Sequence, residues 1–228
     1  MIEAEWWDYD SVDELAEAVG GDVGFIIDSA LDARAAALVA LPVDGLSQQV
    51  FPTLAAAKLK WKQAAIVPAD DFIVGVEDER SKARALAKAF LPVGARVVPI
   101  VTAIPDHKAA GNAADARLQE LPWPPDLVWL SVGVDGNAAG IASGADLQDA
   151  LDAPKARRAV GVMPESGEPR VTLTRASILA ARTVLITVQG KEAREVLEGA
   201  IADGQSSKLP IGRVLAEAEQ PIDIHWVA

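Results

Sequence analysis

Three short segments carry residue types able to bind or transform a small molecule. The first reads Gly133-Val134-Asp135-Gly136-Asn137-Ala138-Ala139-Gly140. Asp-Gly is a turn signal, so a tight strand-to-helix turn accounts for this segment by itself. The chemical reading is that Gly133 and Gly136 let the backbone approach a ligand while Asp135 and Asn137 point into the pocket. Asp135 could then activate water, whereas the Asn137 amide has no nitrogen that titrates near neutral pH.

The second segment is Pro42-Val43-Asp44-Gly45-Leu46-Ser47. A loop that cradles phosphate needs converging backbone N–H groups at a helix N-terminus. One glycine, Gly45, is poor material for that, and Asp44 repels an anion. Ser47 is expected to act as a helix N-cap. The third segment holds two adjacent carboxylates, Asp70 and Asp71. They are expected to be solvated or to cap a helix, and could alternatively supply a base or hold a hydroxyl.

The chain has two histidines and no cysteine. Cysteine chemistry is excluded, and any imidazole must come from His107 or His225. His107 follows an extended segment and reads as an exposed loop residue that could enter a neighbouring pocket. His225 stands between Ile224 and Trp226, so strand alternation predicts a surface position.

The apolar pattern supplies the elements that position these segments. Residues 11–36 are mostly on a helical period, with Ser11 and Glu14 spaced as a capping box and Gly20-Gly21 expected to interrupt. Further helices are predicted near 47–58, 81–90, 109–121 and 191–203. Extended runs are predicted at 37–41, 64–67, 97–101, 126–132, 158–162, 171–173, 183–188 and 222–227. This alternation predicts an α/β fold: a doubly wound, mostly parallel sheet with helices on both faces. Ligands in such sheets sit beyond the carboxyl ends of the strands, which singles out segments 42–47, 68–72 and 133–140. Trp6-Trp7 and Trp226 are expected to dock the chain ends, and Trp123 and Trp129 to pack in or near the core.

The 228 residues include 33 acidic and 21 basic side chains, a net charge of −12. That balance argues against nucleic-acid and anionic-membrane partners. No apolar run reaches the ~18 residues of a membrane span, and the acidic start lacks a basic signal-peptide region. The expectation is one domain over 1–228, soluble and cytoplasmic, with a monomer as a plausible state.

Taken in order, these segments resemble the 6-phosphogluconolactonase family, which is related to glucosamine-6-phosphate deaminases. Val43-Asp44-Gly45-Leu46-Ser47 stands where the family has Gly-Gly-Ser-Thr-Pro. Asp70-Asp71-Phe72 stands for Asp-Glu-Arg, and Gly133-Val134-Asp135-Gly136-Asn137 for Gly-x-Asp-Gly-His. Arg170-Val171-Thr172-Leu173-Thr174 matches the family's Arg-(Ile/Val)-Thr-Leu-Thr intact. Gly190-Lys191-Glu192-Ala193 matches Gly-x-x-Lys with alanine in place of lysine. Leu209-Pro210 and the ending Ile222-Asp223-Ile224-His225-Trp226 fit as well.

The resemblance implies a cytoplasmic hydrolase of the pentose phosphate pathway that opens a sugar-phosphate lactone without metal or organic cofactor. It implies substrate contacts from Asp44, Gly45, Ser47, Asp70, Asp71, Gly133, Gly136 and Arg170. Lys191 or Arg194 could stand in for the lysine at 193, or simply line a solvated helix face. Asp135 and Asn137 take the catalytic position. Since Asn137, Phe72, Ala193 and Asp44 all depart from the pattern, two functions follow. One is a divergent lactonase. The other is a non-catalytic homologue binding a metabolite or protein partner.

Overall fold

The computed structural model describes residues 2–228. Its main sheet has seven strands, all paired in parallel, in the order β1-β10-β9-β6-β2-β3-β5. These are β1 (Ala4–Tyr9), β2 (Ala37–Leu41), β3 (Ala64–Pro68), β5 (Arg96–Val97), β6 (Leu127–Val132), β9 (Thr183–Gln189) and β10 (Ile222–Val227). A smaller antiparallel sheet, β4 (Asp70–Phe72), β8 (Arg170–Leu173) and β7 (Ala159–Val162), covers part of one face.

Both faces of the main sheet are buried, which explains its continuous apolar runs. Along β2, Ala37, Val39 and Leu41 point into one core, while Leu38 and Ala40 point into the other. The first core is closed by α1 (Val12–Arg34), α2 (Ser47–Ala55) and α3 (Lys82–Phe90). The second is closed by α4 (His107–Leu118), α7 (Lys191–Asp203), α8 (Pro210–Leu215) and the smaller sheet. Two short helices, α5 (Leu147–Leu151) and α6 (Arg175–Leu179), complete the chain.

The strand order reverses between β2 and β6. From β2 the chain winds outward to β3 and β5; from β6 it winds the other way to β9 and β10, and the first strand of the chain, β1, adds to that edge. The crevice past the carboxyl ends of β2 and β6 is therefore the topological switch point, the usual ligand position in this architecture. Segments 42–46 and 133–141 border it.

Several local expectations change. Gly20-Gly21 does not interrupt α1, which runs unbroken with nine buried residues, Gly20 among them. Gly20 instead allows close helix packing: a Cβ there would stand 2.9 Å from the Thr53 methyl of α2. The helix at 47–58 stops at Ala55, and of the extended run at 97–101 only Val97 is strand, as the second residue of β5. Residues 70–72 form β4 rather than a loop. The aromatic chain ends do dock: Trp6 and Trp7 lie in β1, paired to Ile224 and His225 of β10. Trp129 is fully buried, and its indole N–H donates to Thr187 Oγ1 at 3.0 Å. Among the described residues, no helix is long and apolar enough to cross a membrane.

Candidate functional site

At the end of β2, Asp44 rather than Ser47 caps the entry to α2. Asp44 Oδ1 accepts from Leu46 N–H at 2.9 Å and Ser47 N–H at 2.8 Å, and Asp44 N–H donates to Ser47 Oγ at 2.9 Å. This reciprocal pairing satisfies helix-terminal donors that would otherwise lack a partner. Ser47 is fully buried by it, while Gly45 stays exposed.

At the end of β6, an Asp-Gly turn forms, closed by Gly136 N–H to Gly133 C=O at 3.1 Å, but it is not the expected strand-to-helix turn, since the next helix begins only at Leu147. Gly136 has φ +62°, and a Cβ on it would meet Leu209 at 3.0 Å. Its carbonyl accepts from Ile211 N–H at 2.9 Å, so α8 seats on this turn. Asp135 and Gly133 are exposed and Asn137 is half-buried. The Asn137 side-chain N–H donates to Asp135 Oδ2 at 2.7 Å.

The same segment rests on the smaller sheet. Gly140 N–H donates to Thr172 Oγ1 at 3.1 Å. A Cβ on Gly140 would lie 2.8 Å from Thr172 Cβ, 2.9 Å from Arg170 Cδ and 3.1 Å from Asp70 Cβ. The 133–140 segment thus touches the residues that hold Arg170.

Asp70 and Asp71 are not solvated; they are 2% and 1% exposed. Pairing β4 against β8 withdraws both from solvent, and different groups satisfy each. Asp70 accepts from Lys82 Nζ at 2.6 Å and Arg170 at 3.4 Å. Asp71 does cap a helix, accepting from Lys82 N–H at 2.8 Å and Ala83 N–H at 3.0 Å. Burial pushes the Asp71 carboxyl above its ordinary pKa, against the lowering effect of those N–H donors. Phe72, opposite Arg170 in the register, lies with its ring centroid 4.8 Å from the guanidinium. Arg170 Nε is buried and has no hydrogen-bond partner.

Lys82 escaped the sequence reading. It lies twelve positions from Asp70 in the first turn of a helix, a place that signals only solvation. The one available clue was the need of a buried Asp70 for a cation.

Lys191 is exposed at the first residue of α7 and makes no ion pair among the described residues. Arg194 is structural rather than a free ligand for an anion. It pairs with Asp8 at 2.8 Å and Glu198 at 2.9 Å, between the rings of Trp6 and Trp226. Ala193 is buried in the second core.

Neither histidine joins these loops. His107 is the first residue of α4, half-buried rather than exposed, with Nε2 3.0 Å from Asp146. His225 is 2% exposed, not on the surface, because β10 is an interior strand covered by α1. Its Nδ1 lies 2.8 Å from the Tyr9 hydroxyl, and burial pushes its pKa down to about 4. Among the described residues no group of three or more His, Asp or Glu is placed to hold a metal ion. Surface cavities of about 440 and 670 Å³ are lined by other residues, such as Lys108 and Arg157 in one and Trp6 and Ala216 in the other. The switch point is thus selected by topology and residue chemistry, not by cavity size.

Comparison with known proteins gives a consistent picture. Residues 10–226 match the family model for glucosamine-6-phosphate isomerases/6-phosphogluconolactonase. A 6-phosphogluconolactonase of Rhizobium meliloti (strain 1021) is 32% identical over 223 residues, covering 96% of both chains. One from Pseudomonas putida is 29% identical over 217 residues, covering 93% of this chain and 88% of that one. The crystal structure of a 6-phosphogluconolactonase from Shewanella baltica OS155 shares the fold at TM-score 0.92, with 24% identity over 99% and 98% of the two chains. A monomeric glucosamine-6-phosphate deaminase is more distant, at TM-score 0.77 and 13% identity.

Proposed function

Because the chain belongs to the glucosamine-6-phosphate isomerase/6-phosphogluconolactonase family, we propose that it hydrolyses the ring ester of a sugar lactone at the switch point of its sheet. Its relatives bear the name 6-phosphogluconolactonase, which makes 6-phosphoglucono-δ-lactone the first substrate to assay. One observation carries the reading: the hydrogen-bonded Asp135–Asn137 pair stands past the end of β6, braced from below through Gly140 and Thr172.

In this mechanism Asp135 is the general base. It takes a proton from water while the water oxygen attacks the lactone carbonyl carbon. The tetrahedral intermediate collapses with cleavage of the bond to the ring oxygen, and that oxygen leaves with the proton returned by Asp135. Asn137 does not exchange protons. Its amide donates to one oxygen of Asp135 and so fixes the carboxylate's direction. Gly133, which is exposed, gives the backbone close access to the substrate, and Gly45 does so across the crevice, whereas Gly136 is buried under Leu209 and shapes the turn instead of meeting the substrate. The proposal includes a single domain over 1–228 acting in the cytoplasm.

The test is lactone hydrolysis by the purified protein, with spontaneous ring opening subtracted. A protein-dependent rate supports the proposal. Tight binding of the hydroxy-acid product without turnover would instead support the non-catalytic reading.

A further inference from the structure

Most of the groups at this crevice that resemble a phosphate cradle are engaged by the chain itself, although Arg170 keeps its Nε without a hydrogen-bond partner. Backbone N–H groups at the head of a helix attract anions through their orientation and the helix dipole. At the head of α2, Leu46 N–H and Ser47 N–H both donate to Asp44 Oδ1, at 2.9 and 2.8 Å. On the opposite wall, one buried carboxylate, Asp70, engages both Lys82 at 2.6 Å and Arg170 at 3.4 Å. Phe72 lies against the same guanidinium, and Arg170 Nε is buried beneath it. Arg194 is tied to Asp8 and Glu198. Lys191 and Lys208 are exposed, and a lone solvated ammonium contributes little to anion affinity.

Resting on the lactone-hydrolysis reading, we infer that this site selects an uncharged sugar lactone over a phosphorylated one, and that Asp44 is the specificity-determining residue. A phosphate at the head of α2 must displace Asp44 from its two N–H donors or sit beside its negative charge. An unphosphorylated aldonolactone meets neither obstacle. It brings hydroxyl donors, which carboxylates and backbone carbonyls accept. Selectivity therefore arises by repelling the wrong substrate as much as by contacting the right one.

The experiment compares glucono-δ-lactone with 6-phosphoglucono-δ-lactone as substrates of the full chain. The unphosphorylated lactone is expected to have the higher kcat/KM by about tenfold or more, the ratio given by ~1.4 kcal/mol of like-charge repulsion. Asp44→Asn keeps a capping side chain while removing the charge. It is expected to shift the ratio about tenfold toward the phosphorylated lactone. A wild-type preference for the phosphorylated lactone, or an unchanged ratio in Asp44→Asn, overturns the inference. If neither lactone is hydrolysed, the catalytic reading fails separately, and calorimetry with gluconate and 6-phosphogluconate decides selectivity. Tighter gluconate binding supports the inference. Tighter 6-phosphogluconate binding, or no binding of either, overturns it.

Discussion

Asn137 lies two residues after Asp135 and returns its side-chain N–H to that carboxylate at 2.7 Å, while its backbone N–H points at the other carboxylate oxygen from 3.3 Å. The turn at Gly136 makes this possible, since its φ of +62° folds the chain back on itself. The result is an exposed carboxylate with a fixed direction, on a loop whose far end is pinned to β8. A position that could be dismissed as a turn acquires the two attributes a base needs, access to water and a defined orientation.

Asp135→Asn is expected to lower kcat for lactone opening by roughly 10²–10⁴, the usual contribution of a general base. The side chain is exposed, so stability should stay within about 0.5 kcal/mol of wild type. Asn137→Ala should cost less, because it loosens the carboxylate without removing it. Initial rates with spontaneous hydrolysis subtracted provide the measurement. Unchanged rates in Asp135→Asn would exclude that carboxylate as the base.

Gly140→Ala tests the contact between the loop and the smaller sheet. The added methyl must displace Thr172, Arg170 or Asp70, which lie 2.8–3.1 Å from its ideal position. Overpacking of this kind costs about 1–3 kcal/mol. The variant should melt at lower temperature and also lose lactone turnover, since the loop carrying Asp135 moves with it. A wild-type melting curve would show that the loop does not bear on β8 as closely as described.

Five of the seven parallel strands were legible, and β2, β3, β6 and β9 were so because burial on both faces writes them as nearly continuous apolar runs; β1, with no buried residue, was not predicted, and β5 shares only Val97 with its predicted run. Ala37–Leu41, Lys191–Asp203 and Ile222–Val227 have the bounds the sequence predicts. The smaller sheet was only partly legible. Its other two strands were predicted at 158–162 and 171–173, but β4 was not, since Asp70-Asp71 reads as loop until Arg170, 100 positions away, closes on it. His225 failed for a related reason. Alternation assigns a face but does not reveal that α1 covers it. At the candidate site, the charge of Asp44 was legible from residue type, whereas its hold on the head of α2 required coordinates.

Asp126 provides a third test, at the junction of β2 and β6. Its carboxylate is 5% exposed, accepts from Leu38 N–H at 2.9 Å, and pairs with Arg34 and with Arg182, the latter at 3.4 Å. Asp126→Ala leaves the Leu38 N–H without its acceptor at a buried strand, a loss of about 1–3 kcal/mol. Both arginines are substantially exposed and can return to water, so they add little. Asp126→Asn keeps an acceptor oxygen and should recover part of the loss. Urea denaturation of both variants measures the difference.

Stability should fall in acid through His225. Burial holds its ring neutral and pushes the pKa from 6.5 down to about 4. The unfolded chain takes up this proton near the ordinary value, so the unfolded state binds more protons between the two. The stabilising contribution is complete above about pH 6.5 and disappears as the pH falls to about 4, amounting to about 3 kcal/mol at most. Tyr9 lies 2.8 Å from Nδ1 and Asp22 3.8 Å from Nε2, with Asp223 on the same strand. Burial raises the carboxyl pKa values of Asp22 and Asp223, and the charge of Asp22 adds to the rise at Asp223. Their sign is opposite: a raised folded pKa stabilises in acid and is lost as pH rises through it. They therefore offset part of the histidine effect as the pH falls through their raised pKa values. Thermal melts of wild type from pH 7 to 4 should show a decline that His225→Gln flattens. An equal decline in the variant would place the acid sensitivity elsewhere in the fold.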